Sequence, residues 1–250
     1  MAEQKTLSRG WQGTVMKMMR ADDFELTVTR TETVTEHYVR LGFTDGGLLQ
    51  KISRHPTMWI RLWFAKDGAL HQRGYTLVDP DSEKGTFDIE FAIHDGPAAQ
   101  WALAAKAGDT LPATVLGSDF DIPEPAPSGW LVAGDPASLP AINSLLDALT
   151  DRCPGVAATI WFEYQHDDDR DLPMRLRPQD TVHWIARERD GGALVDAVRA
   201  AAFDASGRHG WVALDSKSTR QVTAAFRSDF NLGRKGVKSM AYWRAGKPFG

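Results

Sequence analysis

The sequence predicts two domains of different class, an antiparallel β-barrel followed by an α/β domain built on a parallel sheet. Three observations carry this. Apolar residues recur at every second position through the first half, the period of half-buried strands. Residues 121–129, "DIPEPAPSG", form a stiff, proline-rich extended segment with few apolar anchors, where the domain boundary is expected. Beyond it, apolar strands alternate with amphipathic helices, the grammar of a parallel sheet joined by crossovers.

In the first half, "DFELTVTRTETV" sets Phe24, Leu26 and Val28 against charged or threonine neighbours, and "WIRLWF", "RGYTLV", "TFDIEFAIH" and "DTLPATVLG" are read as further strands. The stretches Thr44-Asp45-Gly46-Gly47, Lys66-Asp67-Gly68, Asp79-Pro80-Asp81 and Lys84-Gly85 supply turn chemistry between them. Many short strands with such turns favour a closed barrel. One helix interrupts, "PAAQWALAAKAG", with Pro97 at its start and Gly108 just past its end.

In the second half the order is "WLVAGD", then "SLPAINSLLDALTDR", "AATIWFEYQ", "HWIARE", "ALVDAVRAAAF", "GWVALD", "STRQVTAAFRSDF" and a last strand "SMAYWR". Ligands of parallel sheets bind outside the carboxyl ends of the strands. The positions of interest are therefore Gly134-Asp135, Leu214-Asp215 and Tyr242-Trp243-Arg244.

A length of 250 residues suits one large or two medium domains, and 42% apolar with 25% charged residues is an ordinary globular composition. The net charge of −4 gives no global reason to expect nucleic acid or an anionic membrane as partner. The single cysteine, Cys153, excludes an internal disulfide, an iron–sulfur cluster and a cysteine-rich zinc site, and is read as structural. The histidines show no metal spacing, and "HDDDRD" at 166–171 lacks a cation-binding loop framework and is read as a solvated loop. No metal site is expected. The N-terminus lacks the apolar core of a signal peptide, and "MWIRLWFA" is short and broken by Arg61, so a cytoplasmic protein is expected.

Chemistry concentrates in "HQRGYTLVDPD". Arg73 offers a planar cation suited to phosphate, Gly74 allows close approach, Tyr75 presents a flat face, and Thr76 a hydroxyl able to reach a ring nitrogen. Those four functions coincide in a flavin dinucleotide; the same residues also describe a plain strand with an exposed arginine and a half-buried tyrosine. A second segment, "FDIEFAIHDGPAAQWALAAKAGDTL", passes from a strand through His94-Asp95-Gly96-Pro97 into a helix N-terminus. Free backbone N–H groups there favour an anion, and the small residues Gly96, Ala98 and Ala99 leave room for one. A plain strand-to-helix turn anchored by Trp101 is the alternative.

The pair "RGYT" and "DIEFAIHDGPAAQWALAAKAGD", followed by "WLVAGDPASLPAI" and the terminal "YWRAGK", resembles the siderophore-interacting proteins, flavin-dependent ferric-siderophore reductases of the ferredoxin-reductase-like superfamily. The resemblance implies a Greek-key barrel binding FAD non-covalently (residues 1–125), then a three-layer α/β nicotinamide-binding domain (residues 126–250). It implies Arg73 at the pyrophosphate, Tyr75 packed on the flavin, and Thr76 near the reactive edge of the ring, with Gly74 read from its own chemistry as a cofactor contact between them. Tyr75 and Thr76 are thereby the residues nearest the chemistry. His94, Gly96, Pro97 and Ala98 are implied in cofactor phosphate or ring contacts. Gly134, Asp135, Leu139, Pro140 and Ala141 fall where nicotinamide dinucleotide is implied to dock.

Two segments depart from the family pattern. Leu214-Asp215 stands where a Gly-Glu pair is usual, and "VLGSDF" replaces a Gly-Pro-Arg-Gly turn. The cluster "GRKGVKSMAYWRAGK" holds Arg234, Lys235, Lys238, Arg244 and Lys247. With Arg61, the residues Lys235, Lys238, Arg244 and Lys247 are implied to dock a ferric siderophore, the alternative being a solvated loop. The expected activity is reduction of a ferric siderophore by NAD(P)H through FAD, with ferredoxin as another possible donor. Alternatives are a flavin reductase or electron-transfer flavoprotein with another acceptor, and a non-catalytic siderophore- or flavin-binding module.

Overall fold

The computed structural model describes residues 22–115 and 118–246. Lys247, expected at the docking site, and Leu116 and Gly117 of the divergent turn lie outside the described residues. The chain divides into two compact units between Asp119 and Phe120.

The first unit contains strands β1 (Asp22–Thr35), β2 (Tyr38–Thr44), β3 (Trp59–Lys66), β4 (Ala69–Thr76), β5 (Val78–Asp81), β6 (Thr86–Ala92) and β7 (Thr110–Val115), with helix α1 (Pro97–Ala104). Their order is β4-β3-β7-β1-β2-β6-β5, with antiparallel pairing throughout. Strand β1 is long enough for two partners: Asp22–Thr27 pairs with β7, and the stretch from Thr27 to Thr35 pairs with β2, with irregularities between Val28 and Arg30 and between Thr33 and Thr35. Although β4 and β5 stand at opposite ends of the order, only Leu77 separates them along the chain, so the sheet must curl until its ends meet. The Leu77 N–H donates to the Met58 carbonyl at 2.9 Å. Where a fully closed barrel was expected, no ladder joins β4 to β6 among the described residues. Instead the rings of Tyr75 and Phe91 meet across that seam, their centroids 4.6 Å apart.

The alternation seen in the sequence is the core-facing pattern: Leu26, Val28, Ile60, Leu62, Phe64, Ile89, Phe91, Leu111 and Ala113 point inward and are closed over by Ala98 and Ala102 of α1. The Asp45-Gly46-Gly47 turn forms as its chemistry predicts, the Asp45 carboxylate accepting the N–H groups of Gly47 and Leu49. Gly46 is obligatory, since its φ is +59° and a Cβ would lie 2.3 Å from the Glu25 carbonyl oxygen.

The second unit carries β8 (Trp130–Gly134), α2 (Leu139–Arg152), β9 (Ala158–Tyr164), β10 (Thr181–Ala186), α3 (Gly192–Ala200), β11 (His209–Ala213), α4 (Ser216–Ser228) and β12 (Val237–Ser239). The sheet is parallel, in the order β10-β9-β8-β11-β12. The chain steps outward from β8 to β10 and then returns to the other side of β8, so the strand order reverses between β8 and β11. Such a reversal opens a crevice at the carboxyl ends of those two strands. Leu131, Ala133 and Val212 pack with α3 and α4 on one face, while Gly134 meets Ile142 of α2 on the other, giving the expected three layers.

Three local expectations change. "HDDDRD" is a 3-10 turn tied to the fold, because the buried Asp169 carboxylate accepts the N–H groups of Gln165 and His166. The last strand ends at Ser239, yet the chain stays beside β11, with Met240 N–H donating to Val212 and Tyr242 N–H to Leu214, each at 2.9 Å. The start of the proline-rich segment is anchored within the second unit: Phe120 is buried edge-on to Trp130, and Asp121 pairs with Arg152. Among the described residues no helix is long and apolar enough to cross a membrane.

Candidate functional site

In the first unit, pairing of β3 with β4 sets Trp59 opposite Thr76, Ile60 opposite Tyr75, Arg61 opposite Gly74 and Leu62 opposite Arg73. Arg73 and Tyr75 therefore share the inward face with Ile60 and Leu62, while Gly74 and Thr76 share the outward face with Trp59 and Arg61. The Tyr75 ring packs on Phe91 and, edge-on, on Phe64, and burial holds its hydroxyl above the usual phenol range against the pull of Arg73. The Arg73 guanidinium donates to the Gln72 carbonyl and has no carboxylate partner among the described residues. Burial lowers its pKa. It also stands close enough to His94 to lower that ring's basicity, so the strand and the turn picked out in the sequence meet in the fold.

Thr76 is 5% exposed, and its Oγ1 is buried with no hydrogen-bond partner. A buried hydroxyl without a partner costs on the order of 1–3 kcal/mol, which a bound ligand can recover. At Gly74 the expectation changes, because the group lying over it is the chain's own Trp59 indole: a Cβ there would sit 3.3 Å from Trp59 Cε3. The Arg61 guanidinium lies 4.5 Å from the centre of the same indole, and burial lowers its pKa.

In the turn, Gly96 N–H donates to His94 Nδ1 at 2.8 Å. A neutral ring accepting on Nδ1 carries its proton on Nε2, so His94 presents a fixed N–H donor. His94 is exposed at its edge, and partial loss of hydration is the first cause lowering its pKa; Asp95 opposes this and Arg73 adds to it. Gly96 caps α1 in extended geometry with Pro97 at the first helical position. The side chains of Ala98 and Ala99 are buried, Ala98 within the barrel core, and their backbone N–H groups stand at the helix start.

In the second unit, Gly134, Asp135 and Pro140 are buried. Gly134 is required by packing: a Cβ would lie 2.4 Å from Ser138 Oγ and 2.6 Å from Ile142 Cδ1. Asp135 accepts the Ser138 N–H on one oxygen and the Trp243 indole N–H on the other, at 3.2 and 2.7 Å. Burial raises its pKa to about 7, with repulsion from Glu163 adding to the rise and the two hydrogen bonds and Arg187 opposing it. The neighbouring strand ends contribute Glu163 and Asp215, both paired to Arg187, whose guanidinium also lies 4.8 Å from the Trp243 ring centre. Asp215 caps α4 by accepting the N–H groups of Lys217 and Ser218, which is the local reason for an aspartate after Leu214. Glu163, Arg187 and the role of Trp243 were not singled out in the sequence; the available signal was a carboxylate inside the apolar run "AATIWFEYQ". Lys235, Lys238 and Arg244 are exposed on this unit.

Arg73, Tyr75 and His94 offer a cation without a carboxylate partner among the described residues, an aromatic ring and a neutral N–H donor, and Thr76 offers an unspent hydroxyl from the opposite face of β4. That set fits the pyrophosphate and polar-edged ring of a flavin dinucleotide.

Comparison with known proteins agrees. Residues 30–115 match the model of the siderophore-interacting FAD-binding domain, and residues 127–246 that of siderophore-interacting protein. Over 98% of its length the chain is 33% identical to the mycobactin import ATP-binding/permease protein IrtA of Mycolicibacterium smegmatis, of which it spans 28%. It is 25% identical to the ferric vibriobactin reductase ViuB of Vibrio cholerae over 70% of this chain and 65% of that protein. The fold is that of the siderophore-interacting protein from Acinetobacter baumannii, with a TM-score of 0.77 at 22% identity over 91% and 92% of the two chains. A ferredoxin NADP+ reductase from Neisseria gonorrhoeae, solved with FAD and NADP, aligns with a TM-score of 0.66 at 12% identity over 88% and 99%.

Proposed function

Since the chain belongs to the siderophore-interacting protein family and its first unit is that family's FAD-binding domain, we propose that it reduces ferric siderophores, taking electrons from NAD(P)H through FAD and releasing Fe(II). The observation that carries this reading is the buried, unpartnered Thr76 Oγ1 on the strand that also carries the unpaired Arg73. When bound, FAD supplies the exchange between a two-electron donor and a one-electron acceptor, so one NAD(P)H reduces two ferric ions and leaves NAD(P)+ and a proton.

The protein's own residues hold, orient and attract. Arg73 neutralises the pyrophosphate, His94 donates from Nε2, Tyr75 sets a ring against the cofactor, and Thr76 orients its reactive edge. Arg61 on the first unit, and Lys235, Lys238 and Arg244 on the second, each attract an anionic ferric chelate. Fe(II) binds hard oxygen ligands less well than Fe(III), so no protein metal ligand is needed for release. The ViuB relative is named for a reaction of this class, which supports the reading.

The test is anaerobic. Purified protein loaded with FAD is given a ferric chelate and a ferrous trap, with NADH, NADPH or a chemical flavin reductant in separate arms. Ferrous signal in a nicotinamide arm is expected. Signal in the chemical arm alone overturns the nicotinamide assignment, and none in any arm overturns iron reduction.

A further inference from the structure

We propose that Asp135 is a positioning residue: through Trp243 it fixes the segment 242–244 at the carboxyl end of β11, and so holds the Arg244 guanidinium for an anionic ferric chelate. The proposal rests on the reading of Arg244 as substrate-facing.

Four contacts converge on Trp243. Its indole N–H donates to Asp135 at 2.7 Å, across 108 residues of chain. The Arg187 guanidinium lies 4.8 Å from its ring centre, itself held by Glu163 and Asp215. Its carbonyl accepts from the Ser216 N–H at 2.9 Å and from the Ser216 hydroxyl at 3.2 Å. The Ser216 N–H bond belongs to an isolated parallel bridge between Trp243 and Asp215, the residue that caps α4. The strand β12 has already ended at Ser239, so these contacts, with the Tyr242 N–H to Leu214, are what keep the segment in register. Arg244 follows directly, is exposed, and has no carboxylate partner among the described residues. An exposed guanidinium on a flexible stem gains precision only from the backbone that carries it.

This arrangement also gives Asp135 a role other than dinucleotide contact. Both its oxygens are spent on the chain itself, one on Ser138 and one on Trp243.

The experiment uses FAD-loaded full chain with the ferric complex of 2,3-dihydroxybenzoate, saturating donor and a ferrous trap. Trp243→Phe keeps a ring against Arg187 but removes the N–H donor. It should raise KM for the chelate about fivefold to tenfold while leaving kcat within about twofold and the FAD Kd unchanged. Arg244→Ala should raise KM at least as much. If Trp243 acts through Arg244, the double variant is no worse than Arg244→Ala alone. Asp135→Asn, which cannot accept both N–H groups, is the second arm and should move KM in the same direction. An unchanged KM in Trp243→Phe and Asp135→Asn, an unchanged KM in Arg244→Ala, or additive losses in the double variant each overturn the proposal. If wild-type protein reduces no chelate, the reductase reading has failed instead. Equilibrium binding of the same ferric complex to the same variants, followed by fluorescence quenching, then decides the positioning role by the same pattern.

Discussion

His94 accepts the Gly96 backbone N–H on Nδ1 at 2.8 Å, and a methyl group on Gly96 would lie 2.1 Å from Cε1 of that ring. The glycine is needed for the ring that lies against it, since its own φ of −76° is open to any residue. Gly96→Ala should therefore push the imidazole off its perch and misdirect the Nε2–H donor. The expected result is a rise in FAD Kd of about fivefold to twentyfold, with a stability loss under about 1 kcal/mol because the turn is exposed. An FAD titration and a thermal melt check it, and unchanged affinity would remove the turn from the cofactor site.

The same hydrogen bond needs an unprotonated Nδ1. Partial loss of hydration and Arg73 depress the His94 pKa below the ordinary imidazole value, so the bond's contribution is fully present above that ordinary value and is lost as pH falls through the folded one. Imidazole nitrogen NMR at neutral pH should show His94 Nδ1 bare and Nε2 protonated. The opposite tautomer would contradict the assignment.

Asp135 carries the opposite sign. Burial raises its pKa from 3.8 to about 7, so the folded state holds a proton that the unfolded state has lost, and stability falls as pH rises between those values. Glu163 is raised for the same first cause and adds to the slope. Melting temperatures of Asp135→Asn should fall less than those of wild type between about pH 4 and about pH 7. Equal slopes would place the proton elsewhere.

Gly134 separates packing from ligand approach. A Cβ there collides with Ser138 Oγ at 2.4 Å and Ile142 Cδ1 at 2.6 Å, both buried, so Gly134→Ala should cost about 1–3 kcal/mol as overpacking. FAD affinity should not move. Denaturant unfolding with a parallel FAD titration reads both.

These cases show which features were legible in the sequence. Strand β1 declares itself by alternation, as do β3 and β6, the last because its buried second face carries Asp88 and Glu90 paired with arginines, and the RGYT strand and the HDGPA turn are local patterns that the fold brings together at Arg73 and His94. Strand β2 does not alternate, because Tyr38, Val39, Leu41, Gly42 and Phe43 are all buried, and it was not read as a strand. The curling of the sheet at Leu77 is a matter of partner exchange, since "RGYTLV" reads as one continuous strand. In the second unit, Gly134-Asp135 was visible as a strand end. Its partners were not, because Asp135 to Trp243 and Glu163 to Arg187 are long-range pairings set by strand order.

Thr76 allows the fold's interest and the ligand's interest to be set against each other. Its Oγ1 is buried and unpartnered, so Thr76→Val, which replaces the hydroxyl by a methyl of similar shape, removes a desolvated polar atom and leaves no cavity. In the absence of FAD the variant should be as stable as wild type or up to about 1 kcal/mol more stable. With FAD the sign reverses: affinity or the rate of flavin reduction should drop about tenfold, because the hydrogen bond the hydroxyl was kept for is gone. Melts of the apo protein beside FAD titration and stopped-flow reduction measure both signs. A variant destabilised without FAD and unaltered with it would make Thr76 a fold residue and withdraw the observation on which the flavin assignment rests.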